Sequence, residues 1–454
     1  MRITYFDIAR FYLMVSIFMF PISSFWPGPS LVLITDTLIT TLVFYILFRK
    51  RFNHNMQWIV ILIALSLLQL LVLLLKNNLN IVIFFYTRPL FMYLVIIFFY
   101  MYTFSNLDSY NLKKMSHFIE VCIKILIFAI IADGIAINFL GMDTLFVNVF
   151  QSSVGSYGVS SSHGFVFPKI PNGLIFGTQH ASILSVVGII WWLPGIKKIN
   201  DKYLSQYLWL ILSLLALIFT ITTTAILTVS IALLVILSII LLRARKITKF
   251  AFIVLLPFPI VIFFEKILDL YKIIIIKRYH IEPSELEPMV GRYYAKMVEQ
   301  PASVFSEYLN DIIIGVGNLP KSQQQLDMVL EIGFLNLGFR YGLIIIGILI
   351  LSYLFYMLKA FYFIIRDQVK SEEYHIIFRL LLVSLVIVLS LMHYTTLLVP
   401  GVKQLFAAVI ALSFVLLKKE YLKYYRPYSG KANSESSGAI NTQVQREHNS
   451  QFQQ

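Results

Sequence analysis

The chain is poor in the residues from which most enzyme centres are built. One cysteine, Cys122, stands among 454 residues. No disulfide can close within the chain, and a Cys-based metal site is not supported. There is no HExxH, no CxxC and no carboxylate-rich run such as DxDxD. Nothing therefore points to a metal or another cofactor. No Gly-rich phosphate loop ending in Lys-Ser or Lys-Thr occurs either, which argues against ATP hydrolysis. Charge is scarce too, at 13% of residues. The N-terminal MRITYFDIAR, followed by an apolar run, lacks a small-residue cleavage site and reads as a retained first span.

What the chain has is apolar surface. It is 59% hydrophobic, with a mean hydropathy of +0.80. No soluble domain hides that much, so the expected class is an all-α polytopic membrane protein. Apolar runs of membrane-crossing length suggest about twelve spans. They lie near 8–24, 30–48, 57–75, 81–104, 117–140, 174–193, 204–220, 223–242, 248–264, 331–358, 374–393 and 401–417. The apolar run 204–242 is too long for one helix and is divided at Thr220, Thr222, Thr223 and Thr224.

The net charge of +14 is not a nucleic-acid signature, because Lys and Arg sit in short clusters between apolar runs. Arg49–Lys50–Arg51, Lys113–Lys114, Lys197–Lys198, Arg243–Arg245–Lys246, Lys359–Arg366–Lys370 and Lys418–Lys419 fall in alternate connections. The intervening short connections hold only Lys76, Lys169 and Lys403. By the positive-inside rule both termini are cytoplasmic. Two sizeable segments then lie outside, 141–173 and the long loop 265–330 between spans 9 and 10. Residues 1–426 form the membrane domain. The Ser-, Asn- and Gln-rich tail 427–454 is expected to be disordered.

Ionisable groups inside apolar runs mark candidate chemistry. Asp36, Arg88 and Asp133 each lie about six or seven residues inside the outer end of a span, a common depth of roughly 10 Å. Arg340 is somewhat deeper in span 10. They form either structural ion pairs or an outward pocket for a phosphate-bearing substrate, since Arg binds phosphate bidentately and stays charged. Lys124, near the cytoplasmic end of span 5, can snorkel. In the long loop, Gly291–Arg292 precedes an amphipathic stretch, and loop aromatics such as Tyr293 could stack on sugar rings or anchor at the interface. Asp327 and Glu331 are one helical turn apart at the mouth of span 10. That spacing suits a general base with a raised pKa, and equally a helix cap. His180 in GTQHAS and His393 in MHYTT lie near the outer face, as ligand-binding or as structural residues.

Three segments resemble the bacterial O-antigen polymerase (Wzy) family, in the O-antigen ligase/polymerase superfamily. GLIFGTQHAS (173–182) resembles a motif that opens a middle span. LIFTITTTAILTVS (217–230) has Thr where many relatives carry Ser-Arg. GVGNLPKSQQQLDMVLEIGFLNLGFRYG (315–342), after Gly291–Arg292, resembles a Gly-x-Gly, linker and G-F-L-x-x-L-x-x-x-G pattern running into a span. The resemblance covers roughly 170–400.

It implies a metal-independent glycosyl transfer on the outer face of the bacterial inner membrane. An undecaprenyl-diphosphate-linked chain moves onto a new lipid-linked repeat unit, with the diphosphate–lipid leaving. In that scheme Arg88 and Arg292 stabilise diphosphate charge, and Glu331 or Asp327 deprotonates the sugar hydroxyl. Arg340, His180, His393, Tyr293 and Lys169 contribute to substrate binding. The implied partners are membrane lipid, the lipid-linked oligosaccharide and a chain-length regulator protein. The ligases carry a His-rich element where this chain has Asp327 and Glu331, which favours polymerase. An O-antigen ligase-type transferase remains an alternative, as does a lipid-linked oligosaccharide flippase. A flippase would show two related halves, whereas here one long outer loop has no counterpart in the first half.

Overall fold

The computed structural model describes residues 4–25, 31–49, 56–76, 81–142, 167, 171, 173–174, 178–193, 203–243, 284, 287–288, 313, 315, 337–338, 341–365, 374–390 and 402–425. Among them the structure is all-helical. Eleven helices run in the order α1 (Tyr5–Phe25), α2 (Leu31–Arg49), α3 (Gln57–Lys76), α4 (Ile81–Ser105), α5 (Ser109–Phe139), α6 (Thr178–Trp192), α7 (Tyr203–Thr220), α8 (Thr223–Arg243), α9 (Leu343–Ile365), α10 (Tyr374–Ser390) and α11 (Val402–Tyr425). They overlap eleven of the twelve apolar runs, and the run 248–264 lies outside the described residues. Among the described residues one helix, over Leu343–Tyr362, is long and apolar enough to cross a membrane, and several shorter apolar helices accompany it.

Local chemistry sets the boundaries. Thr4 and Asp7 form a capping pair at the start of α1: the Thr4 hydroxyl donates to Asp7 Oδ2 at 2.6 Å, and Asp7 N–H returns to Thr4 Oγ1 at 3.3 Å. Asp108 caps α5 by accepting from Asn111 N–H at 2.8 Å, so this helix begins eight residues before the apolar run that announced it. It ends at Gly141, whose φ of 67° lets Met142 N–H reach back to the Ala136 carbonyl. The Thr cluster does divide the 204–242 run. α7 stops at Thr220, and Thr222 caps α8 by accepting from Ala225 N–H. In the tenth span the described residues 337, 338 and 341 are helical, residues 331–336 lie outside the described residues, and Gly342, with a φ of 86°, interrupts the path before α9 starts at Leu343.

α4 is the central helix. Every residue from Leu90 to Phe104 is buried, as expected of a helix apolar on all sides. α1, α2, α3 and α11 pack around it. α6 occupies the equivalent place in the second half, against α5, α7, α8 and α10. Pairs along α6 and α7 run in opposite directions, Ser185 with Thr220 and Trp192 with Trp209. Gly188 lets the two helices close, since a Cβ there would meet Ser213 Oγ at 2.6 Å. α10 and α11 join the halves. The outward surface is apolar: Leu351, Leu354, Phe355 and Leu358 project from α9, and Leu208, Ile211 and Leu214 from α7.

Candidate functional site

The strongest polar contacts gather at one end of the bundle, the end where α11 begins. Trp58 of α3 faces Phe414 of α11, and the carbonyl of Leu107, ahead of α5, receives Lys419. The start of α11 therefore lies beside the end of α3 and the end of α5. The start of α6 shares that level, because α6 runs antiparallel to α7 and α7 runs alongside α5, with Phe219 against Gly134 and Trp209 beneath Lys124.

Asp36 of α2 and Lys403 of α11 make a buried ion pair there, Nζ to Oδ2 at 2.7 Å. Tyr12 of α1 donates its hydroxyl to Asp36 Oδ1 at 2.9 Å, and Gln404 Nε2 donates to the Tyr12 oxygen at 3.4 Å. Three helices, the first two and the last, are thus tied at one point. Lys403 was the residue that sequence reading missed. Counted as a charge of a connection, it sits in the first turn of α11. Asp36 was the signal that could have found it, because a carboxylate in an apolar run requires a cation.

Asp133 of α5 is fully buried and accepts from Gly173 N–H at 3.0 Å. Gly173 opens the first resemblance segment, with a φ of 60°, and is pressed onto the backbone of Ile130. Phe167 lies between Phe139 and Phe219, with ring centroids at 5.6 and 4.7 Å. The stretch leading into α6 is therefore anchored into the bundle at Phe167 and Gly173. Backbone that is not helical needs such supplied partners when it is buried.

The first two resemblance segments meet. Ser182 and Thr222 hydroxyls are 2.9 Å apart, and Ser185 and Thr220 hydroxyls 3.2 Å apart. The third reaches the same end through Gln69 of α3, whose Nε2 donates to the Tyr341 carbonyl. His180 stands in the first turn of α6, half-buried, two residues before Ser182 and therefore on a different face of the helix.

Of the other predicted site residues, Arg88 lies on α4, one residue before Pro89, with its side chain outside the described residues. Lys169, Arg292, Tyr293, Asp327, Glu331, Arg340 and His393 lie outside the described residues altogether. Lys124, read as a snorkelling lysine, pairs with Glu120 at 2.7 Å and covers the Trp209 ring. Chemically, Asp36 is matched by a cation and Asp133 serves a backbone N–H. Both carboxylates hold segments in place. No protein-family model matches this sequence, and no curated protein is detectably similar to it.

Proposed function

We propose that the chain is a polytopic protein of the bacterial inner membrane, with about twelve spans, cytoplasmic termini and a long outer loop at 265–330. Its activity is polymerisation of a surface polysaccharide from undecaprenyl-diphosphate-linked repeat units. The observation that carries this reading is convergence. The described parts of three segments that resemble O-antigen polymerases, far apart in sequence, meet the same end of the bundle: Ser182 contacts Thr222 directly, and Tyr341, at the end of the third, contacts Gln69. The apolar residues projecting from α7 and α9 support the membrane part of the reading, since such surface belongs against lipid.

In this scheme Arg88 and Arg292, supported by Arg340, stabilise the diphosphate leaving group. Glu331, or Asp327, takes the proton of the attacking sugar hydroxyl, which bonds to the anomeric carbon as the diphosphate–lipid departs. His180, His393, Tyr293 and Lys169 contact the glycan or its diphosphate. The leaving group is already activated, so the transfer needs no nucleotide sugar.

The test is the glycan ladder of a deletion strain complemented with wild type, Arg88→Ala, Arg292→Ala or Glu331→Ala at matched membrane levels. Loss of the ladder with a core-plus-one-unit band is expected. Losing a charge-stabilising Arg should slow turnover by about 10²–10³. Loss of every unit from the core would replace this reading with ligation or flipping, and a full ladder in the deletion strain would end it.

A further inference from the structure

α5 reaches past the apolar run that announced it. Residues 109–116 carry the helix roughly 12 Å further, at 1.5 Å per residue. This extension is amphipathic. Leu112, Met115, Ser116 and Ile119 are buried, while Tyr110, Lys113, Lys114 and His117 are exposed. Tyr110, Lys114 and Phe118 follow one another at four-residue spacing and so share a face. Cations and rings alternate along it. Lys114 Nζ lies 4.4 Å from the centre of the Tyr110 ring. Arg10, exposed on α1, stands over Phe118 at 4.8 Å and over Phe6 of its own helix at 5.5 Å.

These contacts hold two cations in place without neutralising them. A ring face attracts a cation but carries no formal charge, and it leaves N–H donors to serve an anionic oxygen. Neither Arg10 nor Lys114 makes an ion pair among the described residues. The acids close by in sequence are engaged: Asp7 by Thr4, Asp108 by Asn111 N–H, and Glu120 by Lys124. Further along, the same face of α5 turns apolar. Phe128 and Ile135 are exposed, 14 and 21 residues after Lys114, close to four and six turns at 3.6 residues each. A ligand that matches this face has an anionic head and an apolar tail.

We infer that the face of α5 through Tyr110, Lys114 and Phe118, completed by Arg10, docks the anionic headgroup of a membrane phospholipid. The phosphate accepts from Lys114 and Arg10, and the acyl chains lie along Phe128 and Ile135. The inference rests on the membrane part of the proposed function and not on the polymerase chemistry.

Cell fractionation comes first. Recovery of the full-length chain in the soluble fraction without detergent would end the membrane reading and this inference with it. The protein, purified in a neutral detergent, is then titrated with dioleoyl-phosphatidylglycerol or dioleoyl-phosphatidylcholine while Tm is followed by size-exclusion fluorescence. Phosphatidylglycerol should raise Tm, and phosphatidylcholine should not. Arg10→Gln/Lys114→Gln should need about ten to thirty times more phosphatidylglycerol for the same rise, because two charges leave the site. Lys359→Gln/Arg366→Gln removes as much charge from another basic connection and should titrate like wild type. Equal effects of the two lipids, an unshifted titration in Arg10→Gln/Lys114→Gln, or an equal shift in the control pair overturns the inference and leaves the membrane reading standing.

Discussion

Asp36 and Lys403 stand 367 residues apart in sequence and 2.7 Å apart in space, with side chains 2% and 4% exposed. Neither charge has water to fall back on. Lys403→Met or Asp36→Asn alone leaves a buried group without its partner, which should cost about 3–5 kcal/mol. The double variant Asp36→Leu/Lys403→Met removes both charges and should recover most of that loss. Thermal unfolding of purified protein, followed by size-exclusion fluorescence, gives the ranking. A double variant as unstable as either single would show that the pair is not the source of the stability.

Gly173 and Gly141 both adopt positive φ, 60° and 67°, but in different surroundings. A Cβ at Gly173 would sit 3.1 Å from the Ile130 backbone nitrogen, while one at Gly141 meets nothing. Gly141→Ala should therefore cost about 1–2 kcal/mol for the left-handed conformation alone. Gly173→Ala adds a clash with backbone that cannot move aside, and also disturbs the bond to Asp133. Its Tm should fall clearly below that of Gly141→Ala; equal losses would contradict the close approach.

α6 and α7 should show coupling at Gly188 and Ser213. A methyl at Gly188 would meet Ser213 Oγ at 2.6 Å and the Ile127 side chain at 3.0 Å. Gly188→Ala should destabilise by about 1–3 kcal/mol, as overpacking does. Adding Ser213→Ala removes the nearest atom and should relieve part of this, giving an interaction energy of about 0.5–2 kcal/mol in a double-mutant cycle. Strict additivity would mean that these helices do not touch there.

At the N-terminus, the Asp7 carboxyl is held below its usual range by the Thr4 hydroxyl and then by the Thr4 N–H. A lowered folded pKa stabilises the charged form. The capping contribution is thus present above the ordinary Asp value of 3.8 and lost as pH falls through the lower folded value. Exchange of the first-turn amides of α1 should accelerate across that window, and Thr4→Ala should move the acceleration to higher pH. An unshifted profile in Thr4→Ala would remove the cap as its cause.

Much of the fold is legible in the sequence because long apolar runs leave little choice but helix. The break at Thr220–Thr223 and the helix over 57–76 follow from run length and hydroxyl caps. Two things were not legible. The start of α9 depends on Gly342 turning to positive φ, and a glycine inside an apolar run does not announce which φ it takes. Nor does periodicity say which of many helices faces which, so Asp36 announced the need for a cation but not that the cation lay on the last helix. Hydroxyl pairs such as Ser182 and Thr222 are hidden for the same reason: Thr222 reads as the cap of its own helix, and only packing brings the two together.

The proposed topology makes the sharpest demand, and the sequence supplies a convenient probe. Cys122 is the sole cysteine and is buried, so the folded protein should be silent to maleimides. Single cysteines can then report sides. Ser152→Cys and Ser284→Cys fall in the two segments assigned to the outer face, Ser371→Cys in the connection between α9 and α10, and Ser434→Cys in the tail. In spheroplasts an impermeant maleimide should label the first two at once and the last two only after permeabilisation. The contrast follows from charge: Arg366 and Lys370 stand just before Ser371, and basic residues next to spans are retained inside. Labelling of Ser284→Cys and Ser371→Cys from the same side would require an even number of crossings between them. α9 then could not be the one helix that separates the long loop from the cytoplasm, and the twelve-span arrangement would fall with it.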